Sequence, residues 1–116
     1  MTKHEDLPYL NHILESISDI EESVKGFTKD QFIKNKDVKE ANIRRIELIG
    51  EAAKNISNTI KRKYNQIQWT KIIGTRDKVI HHYFGVNLDI IWEIIKKDLP
   101  DLKDKILKIK EELSKR

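Results

Sequence analysis

Hydrophobic residues recur along this chain at three- and four-residue intervals rather than in alternation, a pattern that predicts an all-α fold. Leu10, Ile13, Leu14, Ile17, Ile20 and Val24 form the first stripe and predict a helix from about Pro8 to Val24. Proline suits a first turn, where its missing N–H would have no partner anyway, and Gly26 is placed to end the helix. Thr28 is a candidate N-cap for a short helix through Phe32 and Ile33, its hydroxyl accepting from an unpaired backbone N–H. Asp37 predicts the start of the longest helix, with Glu40 three residues later completing a capping box. The stripe of that helix is Ala41, Ile46, Ile49, Ala52, Ala53, Ile56 and Ile60. Ile46, Gly50, Ala53 and Ser57 form a narrow seam on it. A mid-helix glycine costs about 1 kcal/mol relative to alanine, so Gly50 fits a site where a neighbouring helix comes close.

The segment KRKYNQIQW, from Lys61 to Trp69, breaks the periodicity and predicts a loop. A fourth helix follows, with Gly74 near its start and Gly85 at its end. Asn87 is the expected N-cap of a fifth helix carrying Leu88, Ile91, Trp92, Ile94 and Ile95. Leu99-Pro100 predicts another break. Pro100 at a first helical position, with Asp101 and Asp104 beside it, then starts a last helix whose inward residues are Leu102, Ile106, Ile109 and Leu113. The expected architecture is one domain over residues 1–116, an up-and-down bundle of five to six helices. No internal repeat, linker or low-complexity segment interrupts it.

Composition narrows the picture. Of 116 residues, 38% are hydrophobic and 36% charged, with a mean hydropathy of -0.63. That is a workable but lean core, of the kind that a second subunit often completes. The net charge is +4 and the pI about 9.2, which permits a polyanion such as RNA without demanding one. With no cysteine in the chain, disulfides and thiolate metal sites are excluded. No apolar run approaches the roughly 20 residues that span a bilayer, and no N-terminal leader pattern follows the start, so the expected compartment is the cytoplasm.

The candidate chemistry lies in the fourth helix, IIGTRDKVIHHYF, residues 72–84. Ile72, Ile73, Arg76, Val79, Ile80 and Tyr83 share one stripe. A guanidinium cannot shed its charge, so Arg76 on an inward face needs an anion, a carboxylate or a wet cleft. At about 100° per residue, Tyr83 lies nearly in line with Arg76, while His81 lies roughly 140° round. Arg76 and His81 would therefore flank a groove rather than touch, and a second copy of the helix would close it. Asp77 and His81 stand at i and i+4, close enough for the carboxylate to orient the ring and favour its protonated form. A plainer outcome remains open at this point: Arg76 salt-bridged to Glu47 or Glu51, Asp77–His81 an ordinary surface pair, and Tyr83 and Phe84 in the core.

Metal chemistry is poorly served. His4, His12, His81 and His82 include no i, i+4 pair, and adjacent histidines on a helix point about 100° apart. The chain has no glycine-rich phosphate loop, no serine or threonine set beside a base, and no sign of a cofactor.

The residues also resemble a known family. Arg76, four intervening residues, His81, one residue and Tyr83 match the R-x4-H-x-Y pattern of the HepT toxins, in the HEPN superfamily of small helical ribonucleases. Ile49 to Lys54 is similar to the IGEAAK segment of that family. Residues 69–85, WTKIIGTRDKVIHHYFG, resemble its W-x-x-I-x-G-x-R-(N/D)-x-x-x-H-x-Y-F-G stretch. The segments DIIWEIIKKDLP and LNHILESISDIEE are similar as well, so the likeness covers nearly the whole chain.

This resemblance implies a HEPN-like bundle that dimerises through the motif helix into a shared cleft, and a metal-independent endoribonuclease acting by attack of the 2′-hydroxyl. Arg76 and His81 would be catalytic, with Asp77, in the family's polar position after the arginine, orienting His81. An imidazole with an unperturbed pKa of about 6.5 can move the proton of the 2′-hydroxyl or of the leaving oxygen. A guanidinium can neutralise the phosphorane with a planar fork of donors. Tyr83 would be the acceptor of AMP from an MntA-like minimal nucleotidyltransferase antitoxin, which makes the chain the toxin of a type VII pair. His82 falls at the motif's variable position. The competing expectation is a catalytically silent helical partner of a nucleotidyltransferase that binds nucleotide or substrate through Arg76.

Overall fold

A computed structural model describes residues 5–81 and 87–115, with residues 76–81 described as helical backbone only. Among them the chain forms α1 (Leu7–Val24), α2 (Lys29–Lys34), α3 (Lys36–Lys54), α4 (Asn58–Lys63), α5 (Trp69–His81), α6 (Leu88–Glu93) and α7 (Leu99–Ser114). Helix α3 lies at the centre and packs along both α1 and α5; α1 also packs on α7, and α2 bridges α3 and α6. Among the described residues, no helix is long and apolar enough to cross a membrane.

The core follows the stripes closely. Leu10, Ile13, Ile17 and Ile20 of α1 are fully buried, as are Ile106 and Ile109 of α7, each worth about 1.5–3 kcal/mol of transfer free energy. Pro8 opens α1, and Gly26 ends it with φ +80, a left-handed backbone that costs a β-carbon roughly 1–2 kcal/mol. Thr28 caps α2 in a full capping box with Gln31. Asn87 caps α6, its Oδ1 accepting from the amides of Asp89 at 3.0 Å and Ile90 at 3.3 Å. Phe32 of α2 packs against Trp92 of α6 with ring centroids 5.2 Å apart.

Four expectations are corrected. The cap of α3 is Asn35, not Asp37: its Oδ1 accepts from the Val38 amide at 3.1 Å, and Asp37 lies inside the first turn. Both residue types can cap, and the asparagine is the one whose backbone is extended where the helix begins. Ala41 is exposed and Ile43 takes the buried place. The long helix does not reach Ile60. It stops at Lys54, and Ser57 starts a separate helix, its hydroxyl accepting from the Ile60 amide. The segment 61–69 is therefore loop only between Lys63 and Trp69, and Tyr64, Ile67 and Trp69 are buried in the core.

The fourth correction concerns Leu99-Pro100, which does not break the chain. Helix α6 runs into α7 through a π-helical turn, Ile94–Asp98, in which the Leu99 amide donates to the Ile94 carbonyl. Pro100 has no N–H, and its ring crowds the carbonyl four residues back. Widening the helix by one residue per turn relieves that crowding without ending the helix.

Candidate active site and its surroundings

The start of α5 is bolted in place from several directions. Trp69 is buried, and its indole Nε1 donates to the Tyr64 carbonyl at 3.1 Å. The Tyr64 hydroxyl in turn donates to Glu112 on α7. Ile72 and Ile73 pack against the core, and the Thr75 hydroxyl donates to the Lys71 carbonyl at 2.9 Å. The sequence KRKYNQIQW looks polar, but its tyrosine, isoleucine and tryptophan fasten the motif helix to α4 and α7.

Arg76, Asp77 and His81 all lie on α5. At about 1.5 Å of rise per residue, Arg76 and His81 are displaced roughly 7.5 Å along the helix axis, and Asp77 and His81 keep helical i, i+4 spacing. The side chains of these three, and the whole of His82, Tyr83 and Phe84, lie outside the described residues. So does Gly85, the expected end of the helix. Of the two carboxylates considered as partners for Arg76, Glu47 takes the Arg44 guanidinium at 3.3 Å.

Beside the described part of α5 is a cavity of about 320 Å³, between α3, α5, the π-helical turn and α7. Ile49, Ile72, Ile94 and Leu102 are among its apolar lining. Lys71, Lys97, Lys105, Asp98 and Asp101 stand around it with Thr75, the residue that immediately precedes Arg76. Lys71 approaches Asp98 at 3.8 Å, Lys105 pairs with Asp101 at 2.8 Å and Lys97 with Glu93 at 2.8 Å. Sequence reasoning missed these residues. The available signal was Lys71 and Thr75, polar at helical spacing on the same helix as the motif, with Gln68 just before its first residue.

Two buried polar networks were also missed, and both hold the scaffold. Asp6 is 3% exposed. Its Oδ1 accepts from the Ser57 amide at 2.8 Å and its Oδ2 from the Ser57 hydroxyl at 2.7 Å, which ties the start of α1 to the start of α4. The nearby Lys61 ammonium donates to the Lys54 carbonyl at 3.3 Å. Desolvation lowers the pKa of Lys61, with the Asp6 charge partly opposing. Asn42, fully buried on α3, donates to Ser23 and to the Val38 carbonyl and accepts from Arg45.

Comparison with known proteins bears on the same helix. A family model described as "Ribonuclease HepT-like" matches residues 13–109. The chain is 54% identical over 107 residues to a protein of Methanocaldococcus jannaschii described as "Gamma-glutamylcyclotransferase and putative RNase"; the match covers 92% of this chain and 48% of that one, so the chain spans about half of that relative's length. It is 43% identical to a "Putative RNase" of Caldanaerobacter subterraneus subsp. tengcongensis, covering 88% of this chain and 91% of the relative. Identity to a "Probable ribonuclease HepT" of Thermococcus cleftensis is 42%, covering 92% and 96%. No solved structure matches the chain significantly.

Proposed function

The chain belongs to the ribonuclease HepT-like family, and from that premise we propose that it is an endoribonuclease toxin that cuts RNA without metal. The observation that carries this is Arg76 and His81 set five residues apart on one helix, α5, whose first turns are fixed against α3, α4 and α7. His81 accepts the 2′-hydroxyl proton as that oxygen attacks the adjacent phosphorus. The P–O bond to the next nucleoside then breaks, and a protonated imidazole supplies the proton to the leaving oxygen. Arg76 stabilises the charge that builds on the phosphoryl oxygens. Asp77, one turn before His81, orients the ring and favours its protonated form.

The two catalytic groups diverge by roughly 140° on the helix, which favours a homodimer in which two copies of α5 line a common cleft. Tyr83, in line with Arg76, is the proposed site of AMP transfer from an MntA-like antitoxin, in a type VII toxin–antitoxin pair. The added phosphate would pair with Arg76 and shut RNA out.

Cleavage of cellular RNA in EDTA, with end-mapping of the products, tests this. The protein should cut in the absence of divalent metal. Arg76→Ala and His81→Ala should each abolish cutting while far-UV circular dichroism stays that of the parent. Cleavage by His81→Ala at the parent rate, or unfolding of Arg76→Ala, would overturn the assignment. Light scattering that gave a monomer at micromolar concentration would overturn the shared cleft.

A further inference from the structure

We propose that the exposed side of α4, with the end of α3 and the connection into α5, is an RNA-docking surface that grips the phosphate backbone through Lys54, Arg62 and Lys63. This rests on the ribonuclease reading for the choice of RNA, and on charge and exposure for the surface itself.

Residues 52–70 carry four of the chain's 23 basic residues and none of its 19 acidic ones. The rest of the chain holds 19 of each, so the whole net charge of +4 belongs to this one stretch. Folding keeps the four together. The Lys61 ammonium reaches the Lys54 carbonyl at 3.3 Å, which sets the last turn of α3 beside the last turn of α4, where Lys61, Arg62 and Lys63 follow in succession. Lys61 is half-buried with the Asp6 charge acting on it, and it serves the scaffold. The other three are exposed. Among the described residues none of them pairs with a carboxylate, Glu51 one turn back on α3 included, whereas seven lysines elsewhere each do. Lys63 extends over the Tyr64 ring, its Nζ 5.5 Å from the centroid, which steadies its stem.

Helix ends attract cations, but the same dipoles favour acidic residues at helix starts, and the first turns of α4 and α5 hold none. The exposed polar residues there are uncharged instead: Asn55, Asn58, Asn65, Gln66 and Gln68 can bond to phosphate and sugar oxygens. The apolar residues of the stretch decide the class of partner. Ile56, Ile60, Tyr64, Ile67 and Trp69 are all buried, so the surface offers no apolar anchor to a membrane or to a partner protein. It exposes no aromatic ring on which a base could stack. A phosphate backbone needs only cations and hydrogen-bonding groups, and it is gripped without regard to sequence.

Fluorescence anisotropy with a labelled 2′-O-methyl RNA, which lacks the attacking hydroxyl, tests the surface over a series of salt concentrations. The Lys54→Gln/Arg62→Gln/Lys63→Gln variant should keep the parent circular dichroism and bind at least tenfold more weakly at low salt. Its slope of log affinity against log salt should be shallower by about two, since each lost contact to a single strand removes about 0.7. KM for cleavable RNA should rise in step while kcat stays near that of the parent, and Arg62→Lys, which keeps the charge, should bind as the parent does. Lys25→Gln/Lys36→Gln/Lys108→Gln removes three exposed lysines outside the stretch and should leave the slope unchanged. An equal loss in that control would reduce the effect to net charge and overturn the proposal. Displacement of the RNA by polyglutamate at equal charge, or tighter binding to anionic phosphatidylserine vesicles than to RNA, would also overturn it, assigning the surface to an acidic protein or to a membrane. So would a parental salt slope in the triple variant, even if the protein cuts RNA. A protein that docks RNA here but cuts none would keep the surface and remove the ribonuclease reading.

Discussion

Removing the Asp6 carboxylate should weaken the fold far more than a residue just outside a helix usually does. Asp6 precedes α1 without capping it; both its oxygens are committed to Ser57, at 2.8 Å to the amide and 2.7 Å to the hydroxyl. Hydrogen bonds to a charged group contribute about 1.5–3 kcal/mol each. Water entering the space left by Asp6→Ala would recover part of the two, so a net loss of about 3 kcal/mol is expected. For a domain of this size, that corresponds to a fall in Tm on the order of 10 °C. Urea unfolding followed by circular dichroism measures the loss directly, provided the m-value is unchanged. Ser57→Ala should lose one of the same bonds and also the cap on Ile60 at 3.3 Å, which adds about 1 kcal/mol. The two substitutions should couple by more than 1 kcal/mol in a double-mutant cycle, since they share a bond. A loss under about 0.5 kcal/mol for Asp6→Ala, typical of an uninvolved surface site, or purely additive variants, would refute the reasoning.

Two glycines should respond oppositely to alanine. Gly26→Ala meets no atom within 4 Å but must hold φ +80, so it should cost about 1–2 kcal/mol in thermal melts. Gly74→Ala, mid-helix and equally open, should gain up to about 1 kcal/mol. Phe32→Ala, which empties a fully buried site against Trp92, should cost about 3–5 kcal/mol and change the tryptophan emission. Tyr83→Phe should fold and keep much of its RNA cleavage, yet gain no AMP in intact-mass measurements after incubation with a neighbouring nucleotidyltransferase, ATP and Mg²⁺. Equal AMP addition to parent and variant would move the acceptor elsewhere.

The local elements of this fold are largely written in the sequence, because helical periodicity and capping are short-range. The stripes of α1 and α7, the Thr28 and Asn87 caps and the turn at Gly26 needed only neighbours three or four residues away. The Arg76, Asp77 and His81 spacing is legible for the same reason, since all three fall on α5. Other features were decided between distant segments. Whether Asn35 or Asp37 caps α3 depends on where the chain leaves α2. Whether Pro100 ends a helix or widens it depends on keeping Leu99 and Leu102 in the core while Ile95 stays there too. Polar residues such as Asp6 and Asn42 carry no periodic signal, and their burial becomes affordable only once Ser57 and Ser23 arrive from other helices to satisfy them. The cavity beside α5 belongs to the same class. Its lysines and isoleucines come from four segments that only tertiary packing brings together.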